Sequence, residues 1–449
     1  MPRNVNQPLP QPIFHEPVFN ETVRSADPAG FLKAHPSDNA LYKQIQDLLK
    51  KDVVSFDQSR AAPGDVYGLQ DALGAHGPEI IQAIQSAGRI IFHAAGDSGA
   101  SNAGKYKNEI TVADQLTMDA QTSDAINRPA FLFHLGDVVY DFGESKYYYD
   151  QFYNPFRNYP APIFAVPGNH DSFIVANTPP DQTPLGIFSR NFCATDPVIT
   201  PEAGSLHRTA MTQPGVYFAL DAPFVRIIGL FSNALEDPGL ISSEGKKWPA
   251  VPNFQLDYLA AQLKRIKSEK YKGAVLLAVH HPPFTYSPPK GTSGAGGNHG
   301  CSSAMLRQID TICEEQGVYP HAFLSGHAHN YQRYTRTVHF GQSDYDVPFI
   351  VCGDGGHNVN RLVQGRRGQA PQEPQPGSQV GYLESKPAVK TSGLILEKYD
   401  DTLYGYLRVS VDKDQLRIGF YEVGSGRSLP QSCFDMVTVD LASHTMVSN

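Results

Sequence analysis

Residues 163–171 read IFAVPGNHD: four apolar residues are followed, after a proline and a glycine, by an amide, an imidazole and a carboxylate. A short, continuous apolar run of this kind predicts a strand that is buried on both faces. Five further apolar runs end in the same abrupt way, at Asp97, Asp137, His280, His327 and Asp354. The repeated pattern predicts a sheet with polar side chains at the ends of its strands.

Helical spacing between some of these runs predicts an α/β domain. Apolar residues in 256–266 follow a helical period after a possible Asn253 cap, and residues 305–315 form a second candidate helix. In α/β domains sites form at the carboxyl ends of strands, which is where the polar residues lie. Hairpin signals at 216–230 and 406–421 predict antiparallel strands as well, so mixed sheets are expected.

The chain divides near residue 88. Residues 1–88 are predicted to be an N-terminal extension that is partly helical, with an extended arm at 1–30 and short helices at 41–52 and 78–87. Pro78 near the start of the last helix and Gly88 just past its end are typical helix boundaries. Residues 89–449 are predicted to form the domain that carries the site. Its long loops at 172–214, 282–302 and 354–390 are expected to form walls or lids of a pocket.

Composition and charge exclude several classes of protein. The formal net charge of −8 provides no field that would attract nucleic acid, so no nucleic-acid partner is expected. No window reaches the roughly 20 apolar residues of a membrane span. The first residues contain no apolar signal core, which favours a cytoplasmic location unless a leader has been removed. Five cysteines without a CxxC pair argue against a disulfide scaffold and a thiolate zinc site. Nothing in the sequence indicates an oligomeric state.

The polar residues at the strand ends form a mixed oxygen and nitrogen donor set. It comprises two carboxylates, a phenol, an amide and three imidazoles: Asp97, Asp137, Tyr140, Asn169, His280, His327 and His329. Such a set suits Zn²⁺, Mn²⁺ or iron. Two ions about 3.5–4 Å apart can clamp the attacking and leaving oxygens of a displacement and can lower the pKa of a bound water. Phosphoester hydrolysis needs both effects, because the substrate is an anion that repels free hydroxide.

The order of the motifs resembles that of the calcineurin-like metallophosphoesterases. The matching motifs are Asp97-Ser98-Gly99, Gly136-Asp137, Gly168-Asn169-His170-Asp171, His280, and Gly326-His327-Ala328-His329. Two departures look like purple acid phosphatases: the first motif lacks a histidine, and Tyr140 lies three residues after Asp137. The resemblance covers about residues 89–423 and makes 89–449 the catalytic domain. It implies a four-layer α/β/β/α sandwich, with two mixed sheets face to face between helices.

The resemblance also implies a role for each residue of the donor set. Asp97, Tyr140 and His329 would bind a first metal, Fe(III), whereas Asn169, His280 and His327 would bind a second, divalent ion (Fe, Zn or Mn). Asp137 would bridge the two ions. The implied activity is that of an acid phosphatase, which hydrolyses a small phosphomonoester through a metal-bound hydroxide.

Two histidines are candidates for catalysis without binding metal. His170 matches the family's histidine that faces the phosphate and stabilises its developing charge. His299, in the glycine-rich loop 296–300, is a candidate general acid, with an exposed loop histidine as the alternative. Two other functions stay open. One is a phosphodiesterase, for which loops 172–214 and 282–302 would have to admit a second ester group, and the other is a non-catalytic binding protein on the same fold.

Several residues near the motifs are given supporting roles. His93 and His134 lie within apolar runs and are predicted to be buried structural histidines. His281 is predicted to support its neighbours, and Asp171 to orient them rather than to bind metal. For Asp354 and His357, support of the site and no role at all stay equally open.

Overall fold

A computed structural model describes residues 59–140, 142–172, 174, 182–232, 239–242, 252–286, 303–362, 378–379, 393–424 and 432–447. Its strands are β1 (Tyr67–Gly68), β2 (Arg89–Ala95), β3 (Leu132–His134), β4 (Ile163–Ala165), β5 (Phe218–Ala222), β6 (Val225–Leu230), β7 (Ala274–Val279), β8 (Ala322–Ser325), β9 (Tyr331–Phe340), β10 (Ser343–Cys352), β11 (Ser378–Gln379), β12 (Leu394–Asp400), β13 (Tyr404–Asp412), β14 (Gln415–Val423), β15 (Asp435–Asp440) and β16 (Thr445–Met446). Its α-helices are α1 (Leu69–Ala72), α2 (Gly77–Ala87), α3 (Ala103–Thr122), α4 (Ser145–Tyr148), α5 (Asn169–Ser172), α6 (Gly186–Phe192), α7 (Phe254–Ser268) and α8 (Ser303–Gln316). Short 3₁₀ turns lie at Gly74–His76 and Pro201–Ala203, and a π-helical turn at Tyr149–Tyr153.

The strands form two mixed sheets. One sheet has nine strands in the order β1-β5-β6-β7-β8-β10-β9-β12-β11, and the other has seven in the order β16-β15-β14-β13-β2-β3-β4. Each contains a block of parallel neighbours, β6-β7-β8-β10 in the first and β2-β3-β4 in the second. The remaining pairs are antiparallel except β1 with β5, and they include both predicted hairpins, β5–β6 and β13–β14. The prediction of mixed sheets is confirmed.

The two sheets pack face to face through aromatic side chains. Phe133 of the seven-stranded sheet stacks on Phe218 of the nine-stranded sheet, with ring centroids 5.9 Å apart. Tyr331 and Phe420 stack across the same interface at 4.0 Å. Both pairs are buried, so the sheets share one apolar core.

Helices cover the outer faces of the sheets. Helix α3 packs on β13 and β14 of the seven-stranded sheet, whereas α7 packs on β6 of the nine-stranded sheet and on α8. The predicted four-layer α/β/β/α sandwich is therefore confirmed. In the described part of the chain, none of the helices combines the length and apolar character that a membrane crossing requires.

The predicted helices that fall on described residues are present, with one difference at a helix start. Helix α2 ends at Ala87 and is followed by Gly88, whose φ of 71° is the left-handed conformation that glycine adopts most readily. Asn253 precedes α7, but its side chain makes no capping hydrogen bond, because its backbone (φ −83°, ψ 11°) is not extended as an N-cap requires. The predicted arm at 1–30 and helix at 41–52 lie outside the described residues.

The last part of the N-terminal extension packs on the nine-stranded sheet. Strand β1 pairs with β5, and Leu69 is fully buried in the core. Gln262 of α7 donates its amide to the carbonyls of Pro63 and Asp65, at 2.9 and 2.8 Å. The division at residue 88 stays a prediction, but residues 59–88 contribute to the packing of the domain.

Candidate metal centre

The polar ends of the parallel strands meet at one edge of the sandwich. Asp97, Asp137 and Asn169 follow β2, β3 and β4 of the seven-stranded sheet, whereas His280 and His327 follow β7 and β8 of the nine-stranded sheet. Backbone hydrogen bonds join these ends: Asp97 N–H donates to the Gly136 carbonyl at 2.9 Å, and Gly326 N–H to the His280 carbonyl at 3.0 Å. Parallel neighbours bring their carboxyl ends together, and the face-to-face packing brings the two sets within contact.

A first group of donor atoms consists of Asp97, Tyr140 and His329. The Tyr140 hydroxyl donates to Asp97 Oδ1 at 2.9 Å and lies 3.1 Å from His329 Nε2. His329 Nε2 is 3.4 Å from Asp97 Oδ1. Three potential ligand atoms on three different loops therefore lie within 3.4 Å of one another.

A second group consists of Asn169, His280 and His327. Asn169 Oδ1 lies 3.0 Å from His280 Nε2 and 3.2 Å from His327 Nδ1. The other ring nitrogen of His280, Nδ1, donates to the Leu135 carbonyl at 2.8 Å. A histidine that binds metal commonly donates its second nitrogen to a carbonyl in this way, which fixes the ring and its tautomer.

Asp137 lies between the two groups. Its Oδ2 is 3.5 Å from His280 Nε2 of the second group, and after burial its charge is the largest influence that raises the pKa of Tyr140 in the first group. The ligand atoms of Asp97, Asp137 and His280 all lie within 4.8 Å of one another. All three side chains are buried, so the described residues bring two carboxylates and an imidazole together at a point shielded from solvent.

Backbone conformation at this edge is unusual. Asp97, Asp137 and His327 have φ of 57°, 55° and 67°, in the left-handed region that non-glycine residues seldom adopt. Such residues cost free energy and concentrate at functional sites. The glycine of the third motif is also required sterically, because a Cβ on Gly168 would lie 1.9 Å from Asp137 Oδ1.

Asp171 holds the turns that present Asp137 and Asn169. Its Oδ2 accepts the N–H groups of Val138 at 3.1 Å and Gly168 at 2.8 Å, and its Oδ1 accepts Val139 N–H at 3.1 Å. Burial and the neighbouring Asp137 raise the pKa of the Asp171 carboxyl to about 7, against the effect of these N–H groups. The geometry is that of an orienting residue, which is the role predicted for it.

Tyr140 is held on its backbone and on its ring. Its N–H donates to Gln151 Oε1 at 2.7 Å, and the Gln151 amide donates back to the Tyr140 carbonyl. The ring of His357 stacks on the phenol at 3.5 Å between centroids, and His170 packs on it at 4.2 Å. These contacts restrict the hydroxyl to the side of Asp97 and His329.

His357 is fixed by two hydrogen bonds. Its Nδ1 donates to the Gly99 carbonyl at 2.5 Å, and its Nε2 lies 2.5 Å from Lys105 Nζ. Burial lowers the pKa of His357 well below its usual value, and His329 and Lys105 add to this effect. The alternative that gave this residue no role is not supported, because His357 contacts Tyr140 directly. Gln151 and Lys105 were not predicted, since nothing in their local sequence marks them.

The electrostatic field at this edge favours a cation. Burial acts to lower the pKa of His280, but Asp137 and Asp97 raise it to about 9. Burial together with the same two carboxylates raises the pKa of Tyr140 well above its usual value. A phenolate can form here only if a positive charge offsets both carboxylates.

A family model of the calcineurin-like phosphoesterases matches residues 92–331. That range is more than half of the 449 residues and contains the complete donor set. The chain belongs to the calcineurin-like phosphoesterase family. It is therefore a metallophosphoesterase by family, a class of hydrolases that work with bound metal ions. A comparison with curated proteins gave no match.

Three solved structures are similar to this chain. GAP50, described as the anchor in the inner membrane complex of Plasmodium, is 11% identical, with 78% of this chain and 87% of that chain covered and a TM-score of 0.47. PhoD is 14% identical, with 80% of this chain and 72% of that chain covered and a TM-score of 0.44. The third is a conserved protein of Streptococcus pneumoniae described as a predicted phosphoesterase. It is 10% identical, with 78% of this chain and 98% of that chain covered and a TM-score of 0.26.

The donor set suits the metal ions that this phosphoesterase family implies. Six oxygen and nitrogen side chains converge in two groups around Asp137, and no thiol of the described residues takes part, which matches the chemistry of iron, zinc or manganese. The phenol distinguishes the first group, because its high pKa makes it a poor ligand for a divalent ion.

The other histidines singled out in the sequence have structural contacts wherever they fall on described residues. His93 and His134 are buried and satisfied by side chains, His93 by Asp119 at 2.8 Å and His134 by Ser98 at 2.9 Å, as expected of structural histidines. The backbone N–H and Nδ1 of His281 contact Ser232 Oγ at 2.9 and 3.2 Å. His299 lies outside the described residues, so its role as general acid stays a prediction.

Proposed function

We propose that this chain is a dinuclear phosphatase of the purple acid phosphatase type, which hydrolyses small phosphomonoesters. The observation that carries the proposal is the position of Tyr140. Its hydroxyl donates to Asp97 and lies 3.1 Å from His329, and the charge of Asp137, the carboxylate between the two donor groups, acts on it directly. A phenol in this position suits a trivalent ion, and tyrosinate as an iron ligand has precedent in catalase.

The contacts support an assignment of the residues to two ions. The group around Tyr140 would hold Fe(III), and the group around Asn169 would hold a divalent Fe, Zn or Mn ion. Asp137 would serve both, because its Oδ2 lies 3.5 Å from His280 Nε2 of one group and its charge acts on Tyr140 of the other. When bound, the ions would supply positive charge for an anionic substrate and a water acidic enough to act as nucleophile near neutral pH.

His170 is the side chain best placed to act on the phosphoryl group. It is 9% exposed, its N–H is fixed by a 3.0 Å hydrogen bond to Asp137 Oδ1, and its Nε2 lies 4.0 Å from Asp137 Oδ2. A ring held at the edge of the centre can donate a hydrogen bond to a phosphoryl oxygen as negative charge develops there. Preorganised donors of this kind contribute about 2.7–4 kcal/mol to catalysis.

The test uses the colour of the iron-loaded protein. Charge transfer from a phenolate to Fe(III) should give a broad visible band, and Tyr140→Phe should abolish it. Tyr153→Phe is a matched control, because Tyr153 is equally buried but bonds to Asn191 and Thr200, away from the donor set. The control should keep the band at unchanged intensity.

The same preparations decide the substrate class. Phosphomonoesters and phosphodiesters should be compared from about pH 5 to pH 8, where a phosphatase of this type is expected to prefer the monoester. A ferric protein without colour would remove Tyr140 from the ligands, and faster cleavage of diesters would make the chain a phosphodiesterase. Absence of hydrolysis with iron or any divalent ion would favour the non-catalytic binding protein.

A further inference from the structure

A cavity lies at the end of the sandwich opposite the candidate metal centre. It has a volume of about 540 Å³, and its lining includes Gly273 and Val275 at the start of β7 and His321 just before β8. Both strands run from this cavity to the metal centre, so the six residues of β7, at about 3.3 Å each, separate the two sites by about 20 Å. The volume falls within the roughly 300–1,000 Å³ of small-molecule sites.

One wall of the cavity is basic. Lys267, Lys270 and Lys272 line it at the end of α7, and Lys413 lines it from the β13–β14 turn. Within the described residues, none of the three lysines near α7 takes part in an ion pair. They are therefore available to an anion.

Two aspartates also line the cavity, but their carboxylates are engaged. Asp440 accepts the N–H groups of Ala442 at 3.1 Å and Ser443 at 2.8 Å, and Asp414 pairs with Lys413 at 2.6 Å. Both carboxylates keep their negative charge, but the lining carries four lysines against two aspartates, so an anionic ligand would still meet an excess of positive charge.

A second wall is a stack of three aromatic rings. The ring of His444 lies between those of His321 and Tyr345. Its centroid is 3.9 Å from that of His321 and 4.1 Å from that of Tyr345, with interplanar angles of 22° and 17°. His321 is locked as a neutral tautomer, because it accepts Val275 N–H at Nδ1 and donates from Nε2 to the Leu441 carbonyl. The stack therefore offers uncharged aromatic ring edges beside the lysines.

Two of the lining residues adopt backbone conformations that disfavour a side chain. Lys270 has φ of 52° and His444 has φ of 55°, where glycine or asparagine would be less strained. Three of the five other non-glycine residues with positive φ in the described chain belong to the candidate metal centre. At both ends of the sandwich, strained positions thus carry the side chains that define a site.

We propose that this cavity is a binding site for a small anion that carries a flat ring, the chemistry of a nucleotide. The phosphate groups would contact Lys267, Lys270 and Lys272, and the base would lie against the edge of the His321–His444–Tyr345 stack. The site does not depend on the proposed phosphatase activity, because it shares no residue with the metal centre.

The probe for this site is α,β-methylene-ADP, whose P–C–P link resists hydrolysis, titrated calorimetrically into the full chain. Wild type and Asp137→Asn should bind it equally, since Asp137 belongs to the other end of the molecule. Lys267→Ala/Lys272→Ala should weaken binding about tenfold, as expected for loss of charge-assisted contacts. Lys264→Ala is the matched control, because Lys264 is exposed on the same helix but does not line the cavity.

Methylenediphosphonate, the same anion without the nucleoside, tests the aromatic wall. It should bind at least about tenfold more weakly than the nucleotide analogue. Tyr345→Leu should weaken binding of the nucleotide analogue while leaving methylenediphosphonate unchanged, and thermal melting would confirm that each variant is folded. No binding at millimolar concentration, loss of binding in Asp137→Asn, or equal losses in the Lys264 control and the double variant would each overturn the proposal.

Discussion

Asp171→Asn is expected to destabilise the protein and to weaken metal binding without removing a ligand. The Asp171 carboxylate accepts three buried backbone N–H groups, from Val138, Val139 and Gly168. An asparagine has one oxygen, so at least one N–H would face the amide NH₂ instead of an acceptor. A buried donor without a partner costs about 1–3 kcal/mol, a substantial part of the roughly 5–15 kcal/mol that stabilises a typical domain.

Urea denaturation of metal-free wild type and variant would measure this loss, and elemental analysis would give the metal content. Asp124→Asn is a suitable control, because Asp124 also accepts two backbone N–H groups, from Ile126 at 3.1 Å and Asn127 at 2.9 Å. Asp124 is fully exposed, so water can replace its lost hydrogen bond, and its variant should be much less affected. Both substitutions preserve side-chain size, which isolates the effect of burial.

Two outcomes would refute the reasoning about Asp171. If the metal-free variant is as stable as wild type, the three N–H groups do not depend on the carboxylate. If the variant also loses one equivalent of metal, Asp171 is itself a ligand. The expected result is a lower midpoint of denaturation, with two metal equivalents still bound at saturating concentration but with reduced affinity.

Three further substitutions separate the roles of other buried groups. Asp137→Asn should lower the content of both metals and reduce turnover more than any other change in the donor set; a variant with two tight metals and normal turnover would contradict the bridging role. His170→Ala should reduce turnover by about 10²–10³-fold while metal content, measured by elemental analysis, stays near two equivalents; loss of an equivalent would instead make it a ligand. Burial and the nearby Asp150 raise the pKa of Glu109 well above its usual value. Above about pH 4.3 the unfolded state therefore releases a proton that the folded state keeps. The free energy of unfolding consequently falls as the pH rises from there towards the pKa of Glu109 in the folded state. Glu109→Gln should therefore become progressively more stable than wild type between pH 4 and 8 in urea denaturation; the exposed control Glu79→Gln should show no such trend, and a constant difference would show that Glu109 does not carry the pH dependence.

The ends of the strands could be predicted from the sequence because they need only local information. An apolar run followed by glycine and a ligand-type residue is visible in the chain itself, and the structure places Asp97, Asp137 and Asn169 directly after β2, β3 and β4. The grouping of the donors was implied by the resemblance to the purple acid phosphatases, and the contacts of Tyr140 with Asp97 and His329 agree with it. The motifs do not indicate which neighbouring residues hold each side chain in place.

Contacts between distant segments could not be predicted in this way. Lys105 and His357 are 252 residues apart in sequence, and their hydrogen bond depends on the packing of α3 against the loop after β10. The left-handed backbone of Asp97, Asp137 and His327 was equally invisible, because nothing in an aspartate or histidine favours that conformation. Hydrogen bonds between distant segments hold the left-handed backbone in place. One of them is donated by His327 N–H to Asp97 Oδ2 at 2.7 Å.

The proposed assignment of ligands makes each ion a link between the two sheets. Asp97 and Tyr140 follow strands of the seven-stranded sheet, whereas His329, their partner in the first group, follows β8 of the nine-stranded sheet. The second group is divided in the same way, with Asn169 from one sheet and His280 from the other. Because neither sheet alone supplies a complete group, the donors are assembled only when the sheets are packed. Binding of the ions therefore favours the packed sandwich over any state in which the sheets separate, by the free energy of binding at the prevailing ion concentration. The packing of the two sheets also accounts for the strained backbone at Asp97 and Asp137. Together with Asp171, it holds the two loops in left-handed conformations that neither loop would keep by itself.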